Sequence, residues 1–409
     1  MSDLPLLKDK KLMTLLLVAA LGYFVDIYDL VLFGIVRVPS LLAIGVSPDK
    51  LKETGSLLLN AQMLGMLIGG LLWGIMGDKK GRVTVLFGSI IMYSLANIAN
   101  GFVQTVPQYT ILRFIAGIGL AGELGAGITL VSESMRKDKR GIGTMLVATI
   151  GIAGAVASFL VAQKFQWRMS YFVGGGMGLA LLLLRVGVYE SGMYSAMGNR
   201  QVARGNFLQI FSTRERAVKY ISIILVAIPI WYTVGILMTF SREIGISMKM
   251  PVEPNPARAI LFCYIGLCAG DFCSGLLSQL LKSRIHAMSI FMGILAIGIA
   301  LYFFLGKSSL TFFYIACAIC GFGSGYWAVF ISTASELFGT NLRATVTTTA
   351  PNFVRGSVII LTNAFLFLDN WFGTFLSALF VGLITFSIAL YAMNMIKETF
   401  DKDLDYIEE

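Results

Sequence analysis

Apolar runs of roughly 20 residues, separated by short polar breaks, recur along the whole chain and leave it few ways to fold. A helix of that length crosses about 30 Å of hydrocarbon, where backbone polar groups must be satisfied internally. The runs lie near 13–36, 55–77, 83–103, 108–131, 142–163 and 170–189, then near 219–240, 258–281, 286–306, 310–331, 345–368 and 372–395. The pattern predicts an all-α membrane protein with twelve transmembrane helices. Composition agrees, because charged residues are 13% against 56% hydrophobic, and a water-covered surface usually needs about 25% charged. Forty-four glycines also fit, since Gly lets membrane helices approach closely.

The formal charge is +9, but the Lys and Arg residues sit in short loops between apolar runs, the pattern of an orientation signal and not of a nucleic-acid surface. One side carries Lys8, Lys10, Lys11, Lys79, Lys80, Arg82, Arg136, Lys137, Lys139, Arg140, Arg284, Arg343 and the cluster at Arg200, Arg204, Arg214 and Arg216. The opposite loops hold fewer, among them Arg37, Lys52, Lys164, Arg168, Arg242 and Arg258. The excess predicts both termini and the polar stretch 191–218 in the cytoplasm. The lysine-rich start leads straight into the first span, with no convincing cleavage site. No N-x-[ST] sequon occurs, which favours a bacterial or organellar setting; the expected location is the bacterial inner membrane.

The chain repeats itself. Ser132-Glu133 is followed by Arg140 and Thr144; Ser335-Glu336 is followed by Arg343 and Thr345. GGLLWGIMGDKKGR (69–82) matches GDFCSGLLSQLLKSR (270–284) more weakly. The expected organisation is two pseudo-symmetric six-helix bundles, 1–190 and 219–409, joined by the linker 191–218, with a central cavity suited to alternating access. The five cysteines all fall in spans of the second half; Cys317 and Cys320 form a CxxC with no second Cys/His pair, so they read as packing residues and no metal site is expected. No nucleophile motif or phosphate loop appears, so neither an enzyme nor a cofactor is expected.

Gly77-Asp78-Lys79-Lys80-Gly81-Arg82 follows the second span, with Gly74 before it. It resembles the G-x-x-x-D-[RK]-x-G-R-[RK] loop of the major facilitator superfamily, with Val83 replacing the last basic residue. Three further segments are similar to the metabolite and aromatic-acid proton symporter branches: Tyr23-Phe-Val-Asp26-Ile-Tyr28-Asp29 in span 1, RFIAGIGLAGELGAGITLVSE (113–133) in span 4, and Arg185 through Glu190-Ser191 after span 6. Asn352-Phe-Val-Arg355-Gly356 in span 11 is similar to an Arg-Gly element of the aromatic-acid and organic-ion branches. The resemblance implies a functional monomer that carries a small-molecule substrate with protons across a lipid bilayer. The substrate expected is a small organic anion or zwitterion taken up by symport; an exporter or exchanger on the same fold is the alternative. Span 5 lacks the Gly-Pro signature common in proton-driven exporters.

Ionisable residues at mid-span cost at least about 2.5–3.5 kcal/mol, so they mark function. Asp26 and Asp29 share one helix face with Gly22 and Phe33; they read either as proton carriers or as fixed partners of Arg113. Glu123, among glycines, reads as a proton relay or a structural hydrogen-bonding group. Arg355 is the expected substrate contact, because a guanidinium grips a carboxylate through two parallel hydrogen bonds. Arg113, Trp231, Tyr232 and Trp327 are further substrate-site candidates. Asp78, Arg82, Glu133, Arg140, Glu336 and Arg343, at the cytoplasmic ends, are expected to form salt bridges that make and break during gating.

Overall fold

Long apolar stretches with Ser, Thr or Asn at their polar edges set the helix boundaries in the computed structural model, which describes residues 10–135, 140–190 and 207–400. Thr105, Thr213, Asn255, Ser283 and Ser309 each accept a hydrogen bond from a free backbone N–H in the first turn of the helix that follows. In the first half of the chain the helices are α1 (Lys10–Ala43), α2 (Leu51–Lys80), α3 (Arg82–Asn100), α4 (Val106–Leu120), α5 (Glu123–Ser134), α6 (Arg140–Ile152), α7 (Gly154–Lys164) and α8 (Trp167–Glu190). The second half has α9 (Arg214–Tyr232), α10 (Ser241–Ser247), α11 (Pro256–Leu281), α12 (Arg284–Phe304), α13 (Leu310–Ser324), α14 (Trp327–Leu337) and α15 (Thr340–Met393). No strand occurs among the described residues.

Among the described residues, ten helices are long and apolar enough to cross a membrane. The stretch from Val106 to Ser134, broken between Leu120 and Glu123, lies outside that count, and α15 enters it once although its backbone turns at Gly373 (φ 75°, ψ 163°). Three runs read as continuous spans are broken: α4 from α5, α6 from α7 at Ala153, and α13 from α14. Neighbouring groups satisfy the backbone at two of these breaks. Trp73 Nε1 donates to Ile118 O at 2.6 Å and Asn352 Nδ2 to Ala121 O at 2.9 Å. At the other, the Ser274 hydroxyl donates to Gly325 O and Ala328 N donates to Asp271 Oδ1 at 3.0 Å. A backbone break at membrane depth survives only where protein supplies such partners. The turn after α2 sits at Gly81 alone (φ 92°), with Gly77 still helical.

The repeat in the sequence reappears as matched helix contacts. Gly65 and Gly69 bring α2 against the backbone of α4 at Phe114 and Ile118, and Gly266 and Gly270 bring α11 against α13 at Ala318 and Phe322. A Cβ at any of the four would run into a neighbouring backbone atom, so these faces accept only Gly. Across the two halves of the chain, α2 packs on α15, and α6 and α7 pack on α11.

Candidate binding site

Between the two halves lies a small cavity lined by Tyr23 of α1, Trp231 of α9, Tyr264 of α11, Trp327 of α14 and Arg355 of α15 together with aliphatic side chains. Local sequence explains how the tryptophans reach it. Pro229 lacks an N–H, and the helix loosens into a π-helical stretch, Thr233–Met238, directly after Trp231 and Tyr232. Trp327 is the first residue after the break that Asp271 and Ser274 support, and its Nε1 donates to the Tyr23 hydroxyl at 3.1 Å. The indoles of Trp231 and Trp327 meet edge to face, centroids 6.4 Å apart.

Arg355 stands between them, its guanidinium carbon 5.8 Å from the Trp231 ring centroid and 5.9 Å from that of Trp327. Asp26 supplies its counter-charge, with Oδ2 at 3.7 Å from Nη2, and both side chains are buried. That distance is an ion pair without a hydrogen bond. None of the Arg355 nitrogens and neither Asp26 oxygen has a hydrogen-bond partner among the described residues. Buried charged groups are normally fully hydrogen-bonded. This pair therefore offers a free guanidinium fork, between two aromatic faces, to a further anionic group.

Two more arginines line the same face of α1. Glu123 and Arg185 form a salt bridge through both oxygens, Nη1 lying 2.9 Å from Oε2, with each side chain 1% exposed. The pair packs on Gly22, where any Cβ would collide with it. Arg113 donates to the Asp29 carbonyl at 3.4 Å and lies over the rings of Phe33 and Tyr171, 5.7 Å from each. Positions 22, 26 and 29 thus meet three arginines from three other helices. Glu123→Ala removes the buried carboxylate that pairs with Arg185, and the expected loss is about 3–5 kcal/mol. Adding Arg185→Met should restore most of it, read as thermal unfolding of the detergent-solubilised protein; a single variant as stable as the parent would contradict the pairing.

Of the candidates named from sequence, Arg355, Trp231 and Trp327 line the cavity, and Asp26 pairs with Arg355 beside it. Tyr232 turns away from it and donates to Ala378 O at 2.6 Å. Arg113 and Asp29 sit together, and Glu123 is taken by Arg185. Glu336 pairs with Arg284 at 2.8 Å, joining elements of the second half to each other; Arg343 donates to the carbonyls of Ser335 and Phe338. The side chains of Asp78, Arg82, Glu133 and Arg140 lie outside the described residues.

Contacts unseen in the sequence hold the halves together at the helix ends. Buried Arg37 donates to both carboxylate oxygens of Glu243, at 2.8 and 3.0 Å, and to Thr239 O at 3.1 Å. Lys52 pairs with Asp369, and Thr362 donates to Asn60 Oδ1 at 2.6 Å. Near the opposite end, Glu398 folds back onto the start of α12. Partial burial works against its charge, yet the Ser283 hydroxyl and the backbone N–H groups of Arg284, Phe400 and Thr399 hold its carboxyl down at about 2. The clasp is therefore fully charged above the ordinary carboxylate range and is lost only as pH falls through about 2.

Comparison with known proteins adds an independent line. Residues 19–362 match the model of the Major Facilitator Superfamily. A Bacillus subtilis protein named for niacin and nicotinamide transport is 25% identical, over 83% of this chain and 84% of its own. The benzoate transport protein of Acinetobacter baylyi is 24% identical over 78% and 75%. The 3-(3-hydroxy-phenyl)propionate transporter of Escherichia coli is 26% identical over 71% and 72%.

Proposed function

This chain belongs to the Major Facilitator Superfamily and is a multi-pass membrane transporter, not an enzyme; from that premise we propose that it takes up a small organic anion together with a proton by alternating access. One observation carries the reading: Arg355 of the second half, which lines the aromatic cavity, meets buried Asp26 of the first, and neither side chain has a hydrogen-bond partner among the described residues. A substrate carboxylate takes the guanidinium fork of Arg355, while Trp231 and Trp327 receive a flat apolar body. Relatives named for benzoate, niacin and hydroxyphenylpropionate support a single-ring acid as the substrate class.

Asp26 is the proton carrier in this scheme. Once the substrate holds Arg355, the buried carboxylate has lost its counter-ion, and protonation is the low-cost way to stay buried. Twelve crossings, in bundles 1–190 and 219–409 around the linker 191–218, follow when Val106–Ser134 counts as one span and α15 as two on either side of Gly373. The charge bias orients both termini to the cytoplasm of a bacterial inner membrane. Arg37–Glu243 and Lys52–Asp369 then lie on the outer side and must part when the cavity opens outward. The loop residues Asp78 and Arg82, with Glu133, Arg140, Glu336 and Arg343, belong to the cytoplasmic gate.

The test is uptake into proteoliposomes from a panel of radiolabelled carboxylates, with and without an inward proton gradient. Accumulation of a single-ring acid that collapses with a protonophore is the expected result. Vesicles that lose preloaded acid instead, or that accumulate without regard to the gradient, would reject uptake by symport.

A further inference from the structure

A second polar cluster lies beside Asp29, where α1, α3 and α8 meet, outside the cavity lined by Arg355. α3 contributes Tyr93, Ser94 and Asn97, and α8 contributes the small positions Gly174 and Gly178. A Cβ at Gly174 would collide with the Asp29 carboxylate, and one at Gly178 with the Ser94 hydroxyl, so both side chains press on α8. The Asn97 carboxamide stands next to Asp29 without a hydrogen bond of ordinary geometry. Asp29, Tyr93, Ser94 and Asn97 are all fully buried. Both Asp29 oxygens, both Asn97 amide atoms, the Tyr93 hydroxyl and the Ser94 hydroxyl have no hydrogen-bond partner among the described residues.

Native interiors leave few polar groups in that condition, and a set mixing donors and acceptors within one small volume is what ordered water bridges. A metal cation fits poorly, because Arg113 already brings a positive charge to Asp29. The groups facing Asp29 are Arg113 of α4, Tyr171 of α8, Tyr93 and Asn97 of α3, and Asp26 and Tyr28 on its own helix. Tyr93 in turn lies within electrostatic reach of Glu123, Arg185 and Asp26.

We infer that this cluster binds a short chain of ordered water and, resting on the symport reading, that the chain passes protons between Asp29 and Asp26 on a path separate from that of the substrate. The step conserves every atom. A proton leaves the carboxylic oxygen of Asp29 for the first water, each water hands one on, and the last protonates the Asp26 carboxylate.

Two measurements test this. Pulsed hydroxyl-radical footprinting of the wild-type protein should label Tyr93 despite its burial, and leave Tyr232, whose hydroxyl is bound to Ala378 O, unlabelled. In proteoliposomes, Tyr93→Phe with Asn97→Leu should retain counterflow at equal pH within about twofold and lose gradient-driven uptake by at least about tenfold, the scale of a lost proton-transfer group. Equal loss of both activities means the residues only pack the helices, and unchanged coupling means protons go elsewhere; either overturns the proposal, as does an unlabelled Tyr93. Sodium dependence that disappears in the variant would make the cluster a cation site and overturn it too. Wild-type vesicles that ignore the proton gradient would instead reject the symport reading, while the footprint still decides whether water is bound.

Discussion

Arg355→Gln lowers the apparent affinity for the transported carboxylate at least about 100-fold and ends gradient-driven accumulation. Removing one partner of a buried, hydrogen-bonded charge pair costs about 2–5 kcal/mol, and every 1.4 kcal/mol is about tenfold in affinity. Gln keeps a polar head of similar reach but no charge and no fork. Arg355→Lys retains the charge without the two parallel N–H donors and should fall between wild type and Gln. The substitution also leaves Asp26 without its 3.7 Å counter-ion. A buried carboxyl in that position is neutralised by a proton more cheaply than it is kept charged, so the variant is expected to fold. Size-exclusion elution in detergent checks the folding, and equilibrium binding of the radiolabelled acid gives the affinity. A well-folded variant with wild-type affinity would remove Arg355 from the substrate site.

Asp26→Asn gives the complementary phenotype, with exchange kept and accumulation lost. On the proposed symport, Arg355 holds either Asp26 or the substrate, so binding one carboxylate obliges the uptake of one proton. Linkage fixes the sign: above the midpoint at which Asp26 titrates, apparent affinity weakens about tenfold for each pH unit of increase. Asn cannot titrate and leaves Arg355 permanently free, so its binding curve is flat with pH and at least as tight as that of the wild type at alkaline pH. Counterflow at equal pH inside and out should persist, while an inward proton gradient should no longer concentrate the substrate. Should Asp26→Asn still accumulate substrate against its gradient, the coupling proton would sit on another acid, with Asp29 the next to test.

Much of the site could be seen before any coordinates, for a reason tied to individual residues. Asp26, Asp29, Arg113, Glu123 and Arg355 stand out because a charge within an apolar run is costly wherever the run folds. Trp231 and Trp327 were visible through Pro229 and the glycines before Trp327, which signal irregular helix. Tyr232 carried the same signal, yet it points to Ala378, because adjacent residues on a helix point in directions about 100° apart. The break in span 5 carries no such signal, since its composition is as apolar as that of an intact helix.

Partnership was hidden altogether. Arg185 was noticed only as part of a motif, and its bond to Glu123 depends on α8 lying beside the break between α4 and α5. Arg37 and Glu243, or Lys52 and Asp369, carry no mark in the sequence that one should meet the other. Glu336 and Arg343 read as members of gating salt bridges between the bundles, but the carboxylate of Glu336 is held within the second half by Arg284 from the start of α12.

Residues taken in order settle the solvent and the inventory: apolar runs long enough to cross a bilayer, a repeat of the chain on itself, and a few charges too costly to be accidental. Those follow from composition and spacing, which act locally along the chain. Which charge answers which is settled by the packing, because it depends on the angle and depth at which glycine-faced helices dock. Through that docking Asp26 comes to lie opposite Arg355, which stands between two tryptophans, and Asp29 among side chains whose polar atoms have no hydrogen-bond partner among the described residues.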